Sequence, residues 1–242
     1  MTANKRDVVW KSKSVVEHYL TGMRRGIPLA SEQFDVMLRI LKGSQIPMER
    51  FLDLGCGDGI IGHVLLDAFP QSSGVFYDFS EPMLDAARQR LAAYPDRTVF
   101  ICGDYGDEEW IGDMKPYAPF DAIVSGFSIH HQPDERKRTL YQQLYDLLKP
   151  GGVFLNLEHV APASAWIESL LDDLMIDLSY ANQQGKTREE VARAHYNRLD
   201  KDANILAPVE LQCDWLREIG FEHVDCYLKI FELALFGGVR PA

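Results

Sequence analysis

Short apolar runs alternate with longer amphipathic stretches through the first two thirds of the chain. Each short run has the length of a buried strand, and each longer stretch repeats its apolar residues at helical spacing. The predicted strands are residues 50–55, 74–78, 98–102, 120–125 and 153–160, and the predicted helices between them are 60–69, 81–93 and 134–148. This alternation predicts an α/β fold with a parallel, right-handed, doubly wound sheet.

Helical patterns also flank the alternating region. They are residues 8–21, 31–42, 162–181, 187–199 and 208–219, and two final strands are predicted at 221–231 and 232–238. Ser31 is the expected N-cap of the second helix. We therefore expect a single domain over 1–242 with a seven-stranded sheet, an N-terminal helical cap over 1–48 and a helical lid insert over 162–206 before the last two strands.

Glycines occupy every second position over residues 55–59, at the end of the first predicted strand. The missing Cβ of Gly55 and Gly57 permits unusual backbone angles and lets a ligand approach the main chain. The helix predicted to follow points its unpaired N–H groups at the same place. A glycine pattern alone also fits a purely structural turn, so its spacing predicts a strand, turn and helix and leaves the ligand open.

Two acids follow the next predicted strands. Asp78 lies 23 residues after Gly55, where a carboxylate can accept hydrogen bonds from a ribose. Its alternative role is that of a helix N-cap or a solvated loop acid. Ser80, two residues later, is the expected N-cap of the next helix. Asp104 follows the third strand and suits an adenine amino group, or a simple turn. Gly55, Asp78 and Asp104 all fall at the carboxyl ends of predicted parallel strands, where such sheets bind ligands.

The composition of the chain indicates which classes of partner and which cellular location to expect. The net charge of −11 argues against a broad basic surface for nucleic acid, although a local patch for tRNA stays open. The N-terminus lacks the apolar core of a signal peptide, and no apolar run is long enough to cross a membrane. The four cysteines are scattered without a C-x-x-C pair, so neither zinc nor disulfides are indicated. We expect a cytoplasmic protein.

Five motifs together resemble the class I S-adenosyl-L-methionine (SAM) methyltransferases. They are Leu52–Gly59, Tyr77–Met83, Gly103-Asp104, Phe120–His131 and Leu148–Gly152. The resemblance covers about 50–160 strongly and the final strand pair less strongly. It implies a Rossmann-like sheet that is mostly parallel with an antiparallel last strand, SAM as cofactor and S-adenosyl-L-homocysteine (SAH) as product.

The resemblance also implies roles for individual residues. Gly55 and Gly57 would hold the methionine part of SAM, Asp78 the ribose and Asp104 the adenine amino group. Met83 would lie beside the adenine, and Tyr105 would stack on it or cover it. The expected cofactor-binding residues are Asp53, Gly55, Cys56, Gly57, Asp78, Phe79, Met83, Gly103, Asp104, Tyr105, Ser125 and Arg25.

Two histidines follow the fourth predicted strand, near where the methyl group should point. A histidine titrates near neutrality, so His130 or His131 is a candidate general base for an acceptor that carries a proton. The alternative is that both are residues at a helix start with local hydrogen bonds. Methyl transfer needs a base only for a protonated acceptor.

A narrower similarity concerns the carboxy-SAM synthases of wobble-uridine tRNA modification. It rests on residues 25–28, the helical insert and Gly220–His223. This chain departs from those synthases in the Gly-Asp-Gly ending of its glycine turn. Arg198 is the candidate for the arginine that meets the cofactor carboxylate in those synthases. Independently of this similarity, the N-terminal helices either pack on the sheet edge or cap the cofactor, with Arg24 or Arg25 meeting a carboxylate.

The insert favours an enclosed site and hence a small acceptor. Its candidate lining residues are Trp166, Met175, Tyr180, His195, Tyr196 and Arg198. We therefore expect a transferase that methylates a small molecule. The alternatives are a carboxy-SAM synthase-like enzyme and a SAM-binding regulatory protein without catalysis. The N-terminal helices are suited to a homodimer.

Overall fold

A seven-stranded sheet forms the centre of the computed structural model, which describes residues 6–21, 27–182, 185–198 and 201–242. The strands are β1 (Arg50–Leu54), β2 (Ser73–Asp78), β3 (Thr98–Cys102), β4 (Phe120–Gly126), β5 (Leu148–His159), β6 (Glu222–Ile230) and β7 (Leu233–Val239). Their order is β3-β2-β1-β4-β5-β7-β6, and only β7 runs antiparallel to its neighbours. The predicted sheet is confirmed, including the antiparallel last strand.

Helices cover both faces of this sheet. They are α1 (Lys13–Thr21), α2 (Ala30–Gly43), α3 (Ile60–Ala68), α4 (Glu81–Arg90), α5 (Trp110–Met114), α6 (Asp134–Leu147), α7 (Ala165–Ala181), α8 (Arg188–Tyr196) and α9 (Val209–Ile219). Side chains alternate across the strands, so Leu52 and Leu54 of β1 join one buried cluster while Phe51 joins the other. None of the described helices is both long and apolar enough to cross a bilayer.

Capping groups set the ends of the helices in the insert. Ser164 caps α7 by accepting the main-chain N–H of Ile167 at 3.3 Å. Thr187 and Glu190 form a reciprocal capping box at the start of α8. The predicted start of α7 at Pro162 is wrong, because Ser164 is the N-cap and α7 therefore begins at Ala165.

The N-cap predicted at Ser31 is also wrong. Leu29 occupies the cap position of α2 with a left-handed φ of 53°, and no side chain caps this helix. The Ser31 hydroxyl instead donates to Glu32 at 2.8 Å. A second serine prediction holds: Ser80 accepts the main-chain N–H of Met83 at 3.4 Å and caps α4.

Gly62 on α3 lies where the helix presses against β2. A Cβ added there would come within 2.0 Å of the Phe76 ring. We expect Gly62→Ala to lower the free energy of unfolding by about 2 kcal/mol, because a rigid buried ring cannot move aside without strain. Urea unfolding of the purified protein measures this value.

Gly112 of α5 is the matched control, because an added Cβ would meet nothing within 4 Å. Gly112→Ala should leave stability unchanged or raise it by up to about 1 kcal/mol through helix propensity. Equal effects of the two substitutions would contradict the close packing of α3 on β2.

Candidate cofactor and acceptor site

Three glycines shape the turn between β1 and α3. Gly55, Gly57 and Gly59 have φ values of 64°, 53° and 74°, in the left-handed region that favours glycine. The main-chain N–H groups of Gly55 and Cys56 donate to the carbonyl oxygen of Tyr77 at 2.7 and 3.1 Å. The turn is thereby fixed to the end of β2, and the predicted order of strand, turn and helix is confirmed.

Asp78 holds the same turn from the end of β2. Its Oδ2 accepts the main-chain N–H of Gly57 and its Oδ1 that of Ser80, both at 2.8 Å. Burial raises the pKa of Asp78 to about 6. Because Ser80 caps α4, Asp78 is not the cap, and its carboxylate, which has about four acceptor sites, keeps capacity for a ligand.

The two glycines differ in the space that a side chain would enter. A Cβ on Gly57 would meet only the Met83 sulfur, at 4.0 Å. A Cβ on Gly55 would lie 1.8 Å from Ser128 Oγ. The main chain at Gly57 is therefore open to close approach, which fits a nucleoside cofactor beside Asp78, whereas Gly55 is packed against the loop after β4.

A cavity of about 320 Å³ lies along the carboxyl ends of the strands. Five predicted cofactor residues line one side: Gly55, Gly57, Asp78, Phe79 and Met83. The other side is formed by the loop after β4, the end of β5, α7, the segment after α8 and the connection between β6 and β7. Its residues include Phe127, Ser128, His130, His131, His159, Glu168, Leu171, Asp172, Met175, Arg198, Lys201, Asn204 and Glu232. One continuous space thus joins the glycine turn to the insert.

The N-terminal segment closes the cofactor side of this cavity. Trp10 and Ile27 line it, and the Ser80 hydroxyl donates to the Trp10 carbonyl oxygen at 2.6 Å. The Lys11 ammonium lies 5.5 Å from the ring centre of Phe79. Arg25 falls in 22–26, outside the described residues, so its contact with the cofactor stays a prediction.

Six predicted cofactor residues are absent from the cavity lining: Asp53, Cys56, Gly103, Asp104, Tyr105 and Ser125. Asp53 lies beneath the turn, where Oδ2 accepts the main-chain N–H of Gly62 at 2.9 Å and burial raises its pKa. The Ser125 hydroxyl donates to the Leu54 carbonyl oxygen at 2.8 Å. Both side chains support the turn from below and do not face the cavity.

The loop after β3 lies beside the cavity. Asp104 Oδ1 accepts the main-chain N–H of Gly106 at 2.7 Å. The Tyr105 hydroxyl lies 2.6 Å from Ser128 Oγ, so it contacts a residue of the cavity wall directly. A Cβ on Gly103 would lie 2.1 Å from the Tyr77 hydroxyl, which shows how closely this loop packs on β2.

His130 is held by a buried carboxylate. It lies in the 3₁₀ turn Ile129–His131 after β4, with its ring Nδ1 2.5 Å from Oε1 of Glu158. The main-chain N–H groups of His130 and His159 also donate to Glu158, at 3.0 and 2.9 Å. Burial lowers the pKa of His130 and raises that of Glu158, so the imidazole is neutral and fixed in orientation.

Two further imidazoles reach the cavity. His131 Nδ1 lies 3.2 Å from the Ala203 carbonyl oxygen, and its ring centre lies 6.2 Å from that of Trp10. His159, at the end of β5, lies with its ring centre 5.8 Å from that of His130. Burial lowers the pKa of His159 to about 3, so it too is neutral near pH 7.

The sequence reasoning missed Glu158, His159 and Glu232. The sequence does contain a signal for Glu158, because Asn156 and Glu158 alternate with leucines in a strand that is otherwise apolar. Such buried polar residues mark a site or a hydrogen-bond network. Glu232 gave no signal, since an acid between two strands usually faces water.

The cavity wall formed by the insert contains fewer aromatic residues than the sequence predicts. Of its six candidates, Met175 and Arg198 line the cavity. Trp166 is 68% exposed, and Tyr180 and Tyr196 are also exposed. His195 instead packs within the insert, 2.7 Å from Asp172. The faces that α7 turns to the cavity carry Glu168, Leu171 and Asp172 in place of aromatic rings.

Comparisons with known proteins agree with this geometry. Residues 52–154 match the family described as "Methyltransferase domain". Demethylmenaquinone methyltransferase of Clavibacter sepedonicus is 32% identical over 80% of this chain and 74% of its own length. Carboxy-S-adenosyl-L-methionine synthase of Nautilia profundicola is 23% identical over 88% of this chain and 87% of its own length.

Solved structures share the fold. Human N-acetylserotonin methyltransferase in complex with SAM superposes with a TM-score of 0.62 at 15% identity, over 100% of this chain and 60% of its own length. The chain spans just over half the length of the first solved structures that it matches, for example 55% of an O-methyltransferase family protein from Burkholderia thailandensis. With the predicted motifs, the fold and a relative of 32% identity in agreement, the chain belongs to the class I SAM-dependent methyltransferase family.

Proposed function

We propose that the protein transfers the methyl group of SAM to a small-molecule acceptor enclosed by the insert at 162–206. The observation that carries this proposal is the single cavity that runs from Asp78 and Gly57 to α7. A cofactor on the turn and an acceptor under α7 would share that space, shielded from water.

The cofactor half of the cavity supports the roles implied by the family. In this proposal Asp78 accepts hydrogen bonds from the ribose, and the open main chain at Gly57 meets the methionine part. Met83 and Phe79 flank the base, and Asp104 and Tyr105 meet it from the loop after β3. Asp53 and Ser125 act as positioning residues, because both bond to the main chain beneath the turn.

When bound, SAM supplies a methyl group on a sulfonium that is ready for in-line displacement. The chain aligns the acceptor and excludes water. For an acceptor that carries a proton, we propose that His130 takes the proton, since the Glu158 carboxylate fixes its ring and would stabilise the imidazolium that forms. His131 is the second candidate, with its Nδ1 beside a carbonyl oxygen.

A carboxy-SAM synthase-like activity is the second candidate function. It is favoured by the names of several relatives, including that of Desulforapulum autotrophicum at 25% identity over 95% of this chain. It requires a cation for the cofactor carboxylate, and Arg198 lines the cavity. We also retain as proposals a single domain over 1–242 with its cap and lid, a homodimer and a cytoplasmic location.

The proposal is tested by mass spectrometry of the ligand that co-purifies with the protein. We expect SAM or SAH. A carboxylated SAM would favour the synthase-like function instead. Protein that carries no nucleoside and takes up none when SAM is added would contradict the assigned cofactor site.

A second measurement separates the acceptor classes. The protein is incubated with methyl-labelled SAM and a cell extract, and the products are divided by molecular size. Label is expected in the small-molecule fraction. Label confined to the tRNA or protein fraction contradicts the enclosed acceptor, and no transfer by SAM-loaded protein supports the non-catalytic alternative.

A further inference from the structure

Glu232 is a buried carboxylate to which no other residue described by the structure donates a hydrogen bond. It lies in the tight connection between β6 and β7, is 1% exposed and lines the cavity. Neither of its carboxylate oxygens has a hydrogen-bond partner in another residue of the ranges 6–21, 27–182, 185–198 and 201–242. A buried charge without a partner is costly, so such a group usually belongs to a ligand site.

The position of Glu232 separates it from the cofactor residues. Its carbonyl oxygen accepts the main-chain N–H of Val160 at 2.8 Å, and the next residue, Leu233, pairs with His159 at the end of β5. β7 is three strands away from β1 in the sheet, which corresponds to about 14 Å. Glu232 therefore lies on the acceptor side of the cavity, far from Asp78.

Other carboxylates surround it on that side. Burial raises the pKa of Glu232, and the charges of Glu168 and Asp172 on α7 raise it further, whereas Lys229 lowers it. Among the described residues, the acceptor side of the cavity carries Glu168, Asp172 and Glu232 against the cations Arg198 and Lys201. With three carboxylates and two cations, this side of the cavity has one more negative than positive group.

The nearby cations already have other neighbours. Lys201 Nζ lies 4.0 Å from Glu168, and Lys229 Nζ lies 3.9 Å from Glu210. Arg198 donates to the carbonyl oxygen of His195 at 3.2 Å. Among the three carboxylates, Glu168 lies near Lys201 and Asp172 lies 2.7 Å from His195, so Glu232 is the carboxylate of this group that is left for a ligand.

We propose that Glu232 binds a positively charged nitrogen of the acceptor, so that the acceptor is an amine with an apolar body. This inference rests on the proposed methyl transfer and specifies its substrate class. Leu171, Met175 and Leu233 line the same side of the cavity and supply contacts for the apolar body. A cation within reach of Glu232 provides the hydrogen bonds that the protein does not.

The experiment compares compounds that share a carbon skeleton and differ at one group. Phenethylamine, 2-phenylethanol and 3-phenylpropionate form one such set, and further aryl and alkyl skeletons extend the panel. Binding to the SAH-loaded protein is measured by calorimetry. Amines should bind more tightly than their alcohols by about tenfold or more, because a charged pair replaces a neutral contact.

Glu232→Gln should remove this preference for amines and leave the affinity for SAH unchanged. Glu189→Gln, at an exposed position on α8, is the matched control and should keep the preference. Without an acceptor, Glu232→Gln should unfold at a higher temperature than the wild type, since it removes a buried charge that has no partner.

Three results would overturn the inference: alcohols or acids that bind as well as the amines across the panel, an amine preference that survives Glu232→Gln, or a lower unfolding temperature for that variant. Tighter binding of the acids would at the same time favour the synthase-like function. Failure of the wild type to bind SAH would instead be a failure of the proposed function.

Discussion

Replacing Asp78 with alanine is expected to weaken the binding of SAM by about 100-fold or more. The carboxylate would accept hydrogen bonds from the ribose, and bonds to a charged acceptor are the stronger kind. It also accepts the main-chain N–H groups of Gly57 and Ser80, so its loss loosens the turn that holds the methionine part. Calorimetric titration with SAH gives the affinity without turnover.

Asp85→Ala is the matched control, because Asp85 lies on the exposed side of α4 and pairs with Arg88. Its affinity for SAH should equal that of the wild type. If Asp78→Ala also bound SAH normally, the assignment of the ribose to Asp78 would be wrong.

The affinity should also depend on pH through Asp78. Burial raises the pKa of Asp78 to about 6 in the free protein. Ribose hydroxyls donate to the ionised form, so binding favours ionisation and lowers that pKa. Affinity should therefore be constant well above pH 6 and fall as the pH drops through about 6. Asp78→Asn, which cannot ionise, should lack this dependence.

Gly55→Ala is expected to lower the free energy of unfolding by about 3 kcal/mol. The added Cβ would lie 1.8 Å from Ser128 Oγ, and φ is 64° at this position. Ser128 is itself held by the Tyr105 hydroxyl at 2.6 Å, so the loop after β4 must shift. Chemical unfolding and SAH titration measure stability and affinity in parallel, and both should fall.

Gly57→Ala separates the two effects. Its φ is 53°, but an added Cβ would meet only the Met83 sulfur at 4.0 Å, so the loss of stability should be about 1 kcal/mol. The new methyl group would still occupy the ligand's approach to the main chain and weaken SAH binding. If Gly57→Ala proved as unstable as Gly55→Ala, the open space at Gly57 would be contradicted.

The sheet and the position of the glycine turn were predictable because their signals are local. The glycines of the turn and Asp78 each follow a strand directly, and parallel strands bring their carboxyl ends together. Helix ends were predicted less well. Ser31 has the right residue type for a cap, but the left-handed Leu29 begins α2 earlier. Tertiary packing decides such boundaries, and residue type alone does not.

The acceptor half was less predictable because its residues meet only in the folded chain. Glu158 and His130 lie 28 positions apart and join at 2.5 Å, across β4 and β5. From the sequence alone, Glu232 is expected to be a solvent-exposed acid in a turn, and only the folded structure shows that it lines the cavity. Trp166 and Tyr196 fit a pocket by residue type, yet both are exposed.

The insert that holds α7 and α8 contributes no strand to the sheet. β5 bonds to β7 along its length, and the glycine turn bonds to β2, without help from either helix. Substitutions of insert residues that face the cavity therefore leave the strand pairing and the glycine turn in place. The molecule that is modified can therefore change through the insert while the sheet and the glycine turn stay the same.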